Sequence, residues 1–247
     1  MSGMFSNTYE DDERARAYSS LEFPGTYYLG FRDLPALIGQ HVEGGLALDF
    51  GCGAGRSTRF LEALGFETVG IDISPAMIER AQAADPAGRY VLVHDGDYSP
   101  LEPQRFDLVF TAFAFDNIPG AGHRAGILRS LQGLLTPRGR IVLLGCRASM
   151  YVHEWASFTT EEFPGNRSAR SGDLVHAVMT DVDDQRPVTD VFWTDEDYAT
   201  LFAEAGLDVV AHHMPLGRHD EPFEWKAETS VAPFSIYVLG PRPVMDA

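Results

Sequence analysis

Three glycines at alternate positions, Gly51, Gly53 and Gly55, follow an apolar run, Leu46-Ala47-Leu48, and an acid, Asp49. That spacing lets the backbone bend tightly with positive φ and leaves no side chain between loop and ligand, so main-chain amides can approach a nucleotide-type molecule closely. About 20 residues past the turn, Asp72 ends a second apolar run, Thr68-Val69-Gly70-Ile71, and a strand-end carboxylate at that separation meets ribose hydroxyls. A third run, Tyr90 to His94, leads into Asp95-Gly96-Asp97-Tyr98 on the same carboxyl edge. A carboxylate there accepts from an exocyclic adenine amine, and a neighbouring ring stacks on the base.

Such a loop could hold NAD, FAD or S-adenosylmethionine. The dinucleotide fingerprint G-x-G-x-x-G/A wants a small last residue beside the pyrophosphate, and here that position is Arg56. Asp49 ahead of the loop would repel a pyrophosphate but favours a cationic adenosyl sulfonium. The spacing therefore points to S-adenosylmethionine.

These residues need strands that end at one rim. Arg56 to Leu64 predicts a helix with Phe60, Leu61 and Leu64 toward a sheet, and Ser74-Pro75 opens another with Met77, Ile78 and Ala81 inward. Phe106 to Thr111 predicts a fourth strand running into the aromatic loop Ala112-Phe113-Ala114-Phe115-Asp116-Asn117. A helix over 127–135, a turn at Thr136-Pro137-Arg138-Gly139 and a fifth strand over 140–145 follow. In the segment 147–193, two extended runs, 176–180 and 188–193, predict an antiparallel hairpin. Thr194 caps a helix over 198–205, and 207–213 and 235–240 supply the last strands.

With Asp49 to Gly55, Asp72, Gly96-Asp97, Phe106 to Val109 and Leu134 to Gly139 in this order, the chain resembles the class I S-adenosylmethionine-dependent methyltransferase family over roughly residues 45 to 145. The resemblance implies an α/β fold: a doubly wound, mostly parallel seven-stranded sheet with helices on both faces and an antiparallel last strand. It implies that Gly51, Gly53 and Gly55 line the methionine part, that Asp72 holds the ribose and Asp97 the adenine, and that Thr111 and the following backbone lie near the methionine end. Ile73, Met77, Gly96, Tyr98 and Phe113 complete the expected cofactor shell. An N-terminal cap, 1–44, would close the site through Tyr18, Tyr27 or Tyr28, whose ring faces attract a cation, and Arg32 would meet the methionine carboxylate. The core, 45–146, an insertion forming an acceptor pocket, 147–193, and a C-terminal part, 194–247, are expected to make one domain.

The net charge of −17 argues against a nucleic-acid surface, which needs clustered Lys and Arg. Asp116-Asn117-Ile118-Pro119 only superficially resembles the motif of enzymes that methylate base amines, since its second proline and aromatic are missing. Cys52 and Cys146 make no disulfide framework, and a reducing cytoplasm is the expected compartment. Neither a signal peptide nor a membrane span is expected, because the start lacks a basic run followed by an apolar stretch. A monomer or homodimer is expected.

The expected acceptor is a small aromatic or heteroaromatic metabolite, methylated at O, N or C, with Phe113, Phe115, Tyr151, Trp155 and Trp193 as flat walls. His153, His176, His213 and Glu154 are candidate general bases, and Tyr28 joins His153 and His176 as a candidate catalytic group. His212-His213, Asp190 and Glu224 have no metal-site spacing, so no metal is expected. Two other readings stay open: a donor-binding relative that transfers no methyl, acting as a regulatory subunit or cyclase, and an NAD-dependent oxidoreductase.

Overall fold

A computed structural model describes residues 24–243; Tyr18 lies outside them. The chain enters through helices α1, Thr26–Arg32, and α2, Leu34–His41. Then strands and helices alternate: β1, Leu46–Phe50; α3, Arg56–Ala63; β2, Glu67–Asp72; α4, Pro75–Ala84; β3, Arg89–Leu92; β4, Phe106–Ala112; α5, Ala121–Gly133; β5, Leu135–Cys146. The following segment carries the short strands β6, Phe158–Thr159, β7, Leu174–Met179, and β8, Val188–Val191. Helix α6, Asp195–Glu204, β9, Leu207–His213, and β10, Phe234–Pro241, complete the described residues.

Seven strands form one sheet in the order β3-β2-β1-β4-β5-β10-β9. The pairs from β3 to β5 are parallel, and β10 runs antiparallel to both β5 and β9. Alternation along each strand builds two cores. Leu48, Val109, Ile141 and Leu143 face one side, against Leu128 and Leu131 of α5 and Leu201 and Phe202 of α6. Ala47, Leu108, Phe110, Val142 and Leu144 face the other, against α1, α2 and Leu61 of α3. Both faces are covered, so the strands read as nearly continuous apolar runs.

The hairpin forms as antiparallel β7 and β8, with Leu174 opposite Val191 and Ala177 opposite Val188. A third strand, β6, adds to β7; with two residues it leaves no period to read. Thr194 and Asp197 make a capping box, and helix α6 begins three residues earlier than expected. The turn expected at 136–139 is instead the first part of β5, and α5 starts at Ala121, not Ile127. Leu135 pairs with Phe106 and the register shifts before Leu108, so a strand irregularity takes up Pro137 and Gly139. Asp107 helps close this end of the sheet, accepting from the N–H of Gly45 and Leu46 and from the Thr136 hydroxyl.

Phe202 is 1% exposed and packs against the rings of Tyr198 and Tyr237. Its replacement by Ala is expected to cost about 3–5 kcal/mol, from lost transfer energy and a cavity. Chemical denaturation of the variant checks this; a loss below about 1 kcal/mol would mean that the α6 face of the core collapses to fill the gap.

Candidate active site

Parallel β1, β2 and β4 bring their carboxyl ends together, and the site is built on the three loops that leave them. After β1 the chain bends through Gly51 and Gly53 at φ 70° and 52°. The bend is pinned by the N–H groups of Gly51 and Cys52, both donating to the Ile71 carbonyl at 2.9 Å. Gly53 N–H donates to Asp72 Oδ2 at 2.9 Å, and Ser74 N–H to Oδ1 at 2.8 Å. Asp72 thus ties the glycine loop to the start of α4. Each of its oxygens keeps further acceptor capacity.

A cavity of about 190 Å³ opens on this rim. Of the residues singled out in the sequence, Gly51, Gly53, Asp72, Ile73, Met77, Tyr98 and Phe113 line it, together with Asp95, Asn117 and His123. A Cβ on Gly53 would meet nothing within 4 Å, so the loop presents bare backbone there. Phe113 holds φ at 61°, a strained value for a bulky residue, while its N–H donates to the Leu144 carbonyl at 2.8 Å.

Several expected residues lie elsewhere. Gly55 makes room for a side chain, since a Cβ there would sit 2.6 Å from the Tyr90 hydroxyl. Gly96 and Asp97 do not line the cavity; the Asp97 carboxylate turns back to accept Ser99 N–H at 3.0 Å, and Asp95, 3.2 Å from His123 Nε2, stands on the wall. Thr111 is fully buried beneath the rim. Arg32 is held by Asp33 and Glu221 at 2.7 Å each and is not on the cavity wall. Tyr28 packs its ring on Phe223 and is not on the cavity wall. Tyr27, by contrast, is buried against Phe113.

Asp49 also stays off the cavity wall. It is fully buried, and its Oδ2 accepts the hydroxyls of Ser57 and Thr58 at 2.7 Å each, which fastens β1 to the first turn of α3. Its Oδ1 has no partner among the described residues. Burial, offset by the two hydroxyls, pushes its carboxyl up to about 6. Cys52, buried beside Asp49 and Asp72, has its thiol held well above the usual range by desolvation and those charges. It is a small loop residue without thiolate character.

None of the expected bases reaches this cavity. His153 is exposed and edges onto Trp155; His176 Nδ1 meets the Thr189 hydroxyl at 3.0 Å; His213 Nε2 meets Asp33 at 2.8 Å; Glu154 accepts Thr160 N–H at 2.7 Å. In β7 the alternation that buries Val175 and Ala177 puts His176 on the opposite face.

A second, smaller cavity of about 30 Å³ shares Phe113 and Asn117 with the first. Tyr27, Met150, Tyr151, Phe158 and Phe234 wall it, and Asp116 and Asp190 border it. Nothing in the spacing pairs these two acids, because they are far apart in the chain and meet only through β8 folding back onto the loop after β4.

A family model described as a methyltransferase domain matches residues 48–143. A malonyl-[acyl-carrier protein] O-methyltransferase from Pseudescherichia vulneris is 28% identical over 71% of this chain and 68% of its own length. The 18S rRNA (guanine-N(7))-methyltransferase from Bos taurus is 35% identical over 39% of this chain, and the match spans only 37% of that relative. Among solved structures, the CcbJ methyltransferase from Streptomyces caelestis is similar with a TM-score of 0.66 at 20% identity, over 97% of this chain and all of that one.

Because the Asp49 carboxyl is raised in the folded protein, the native state binds more protons than the unfolded chain between the ordinary 3.8 and about 6. Its contribution to stability is complete below that window and is lost as pH rises through it. In urea titrations, Asp49→Asn is therefore expected to flatten the fall in stability across this range; an unchanged pH slope would show that Asp49 is not held this way.

Proposed function

We propose that this chain, which belongs to the class I S-adenosylmethionine-dependent methyltransferase family, binds that donor in the larger cavity and methylates a small aromatic or heteroaromatic molecule at oxygen, nitrogen or carbon. The observation that carries this reading is the junction of bare Gly53 backbone with Asp72 on one cavity wall. When bound, the donor supplies an electrophilic methyl group on a positively charged sulfur.

The residues present fit such a group. Asp72 offers both oxygens to a vicinal diol, Ile73 and Met77 offer apolar surface to a base, and Tyr98 adds a buried ring. The orphaned Asp49 oxygen under the loop adds negative potential where a cation would lie and a phosphate would not. His123 and Asp95 form the outer wall. Positioning supplies most of the rate in an in-line displacement, and Phe113, fixed by the Leu144 carbonyl and packed on Tyr27 and Phe234, is placed to hold donor and acceptor in line.

The aromatic residues around Phe113, where the two cavities meet, support an apolar acceptor body whose polar end enters the smaller one. An RNA acceptor is disfavoured, since a net charge of −17 opposes a phosphate backbone. Among the described residues no helix is long and apolar enough to cross a membrane.

Calorimetric titration with S-adenosylmethionine is expected to show binding by the native protein and a loss of roughly 10- to 100-fold in Asp72→Ala, as hydrogen bonds to a charged group are removed. Unchanged affinity in a folded variant would remove Asp72 from the donor site.

A further inference from the structure

Resting on the methyl-transfer reading, one feature of the smaller cavity goes further. Asp116 lies on the helical turn Phe115–Asn117, is 3% exposed, and borders a space otherwise walled by Tyr27, Met150, Phe158 and Phe234. Burying a carboxylate among such walls is costly unless its oxygens are well supplied with donors. Here the supply is thin: Oδ2 accepts Cys146 N–H at 3.0 Å, the weakly donating Cys146 thiol also meets the carboxylate, and the Tyr198 hydroxyl reaches Oδ1 only at a long 3.5 Å. Asp190, from β8, borders the same space and accepts the Tyr151 hydroxyl at 3.0 Å. The cavity has room for a small polar head and not for a second ring. Through Phe113 and Asn117 it abuts the larger cavity.

We propose that Asp116 Oδ1 receives the proton of the acceptor's nucleophile, and that Asp116 and Asp190 together restrict acceptors to amines or hydroxyls on an apolar body. A carboxylate nucleophile meets two like charges in a poorly solvated space and is turned away. In the transfer, the N–H or O–H bond of the acceptor breaks and its proton goes to Asp116. The electron pair left on that atom forms the bond to the methyl carbon. The carbon–sulfur bond breaks with its pair going to sulfur, which ends as a neutral thioether.

The groups facing Asp116 set its proton affinity. Burial raises it most and Asp190 raises it next, while the N–H and the thiol of Cys146 on β5 and the Arg124 guanidinium on α5 lower it. Tyr198 on α6 sits between Arg124 and Asp116, accepting from Arg124 Nη1 at 3.4 Å, and Tyr151 sits beyond Asp190. The basic, ionised form of Asp116 is therefore gained as pH rises, so the rate climbs along an acid limb that belongs to this group.

The test measures methyl transfer from isotopically labelled S-adenosylmethionine to phenols, anilines and phenylethylamines, and to the matching benzoic and phenylacetic acids, across a pH series. Donor binding is followed separately by calorimetry in each protein. Product is expected with the amine or hydroxyl members and not with the acids. Asp116→Asn is expected to cut the rate by about 10²- to 10⁴-fold and abolish the acid limb, with donor affinity unchanged. Asp190→Asn, which keeps the base but removes the neighbouring charge, is expected to move that limb to lower pH. Transfer to the acids, a native pH profile in Asp116→Asn, or donor binding without product in any arm overturns the proposal while leaving the donor site standing. Failure of the native protein to bind the donor would instead bring down the underlying reading.

Discussion

The site depends on one carboxylate shared by two loops. Asp72 accepts the N–H of Gly53 through one oxygen and that of Ser74 through the other, so the bend after β1 and the start of α4 are held by the same group. Both donors are backbone, which makes the arrangement insensitive to side-chain rotamers. Charge-assisted bonds of this kind are roughly twice as strong as neutral ones. The strained Phe113 on the third loop then has a fixed opposite wall to work against.

Beneath that rim, Asp49 performs a similar service out of sight. Its single bonded oxygen gathers Ser57 and Thr58, so the helix after the glycine loop is tied to the strand before it. Two acids on the neighbouring strands β1 and β2 thus divide the work: Asp72 borders the cavity and orders the loop amides, and Asp49 braces the loop from below. The cost of burying Asp49 appears as its raised proton affinity.

Most of the sheet was legible because parallel strands buried on both faces leave apolar runs, and because glycine and acid punctuation marks where they end. The cavity wall was legible for the same reason: Gly51, Gly53, Asp72, Ile73 and Met77 are local in sequence to strand ends. Asp97 and Arg32 illustrate what residue type cannot convey. A neighbouring N–H claims the first, and two carboxylates, Asp33 beside it and Glu221 from far along the chain, claim the second. The histidines of the insertion suit proton transfer by residue type, yet the two-residue period of β7 turns His176 away from the space that its neighbours help close. Asp116 and Asp190 enter the sequence reading only separately, in a motif set aside and a metal site rejected, since 74 residues separate them and only the packing of β8 on the turn after β4 brings them to one cavity. Proline and glycine at 137 and 139 read as a turn because nothing local announces that β4 will pair there with a shifted register.

Crystals grown with S-adenosylhomocysteine test the central claim most directly. The account predicts density for the nucleoside in the larger cavity, with both ribose hydroxyls within hydrogen-bonding distance of Asp72 and the amino-acid part running along Gly51 and Gly53. Density lodged elsewhere on the molecule, or a ribose facing away from Asp72, would contradict it.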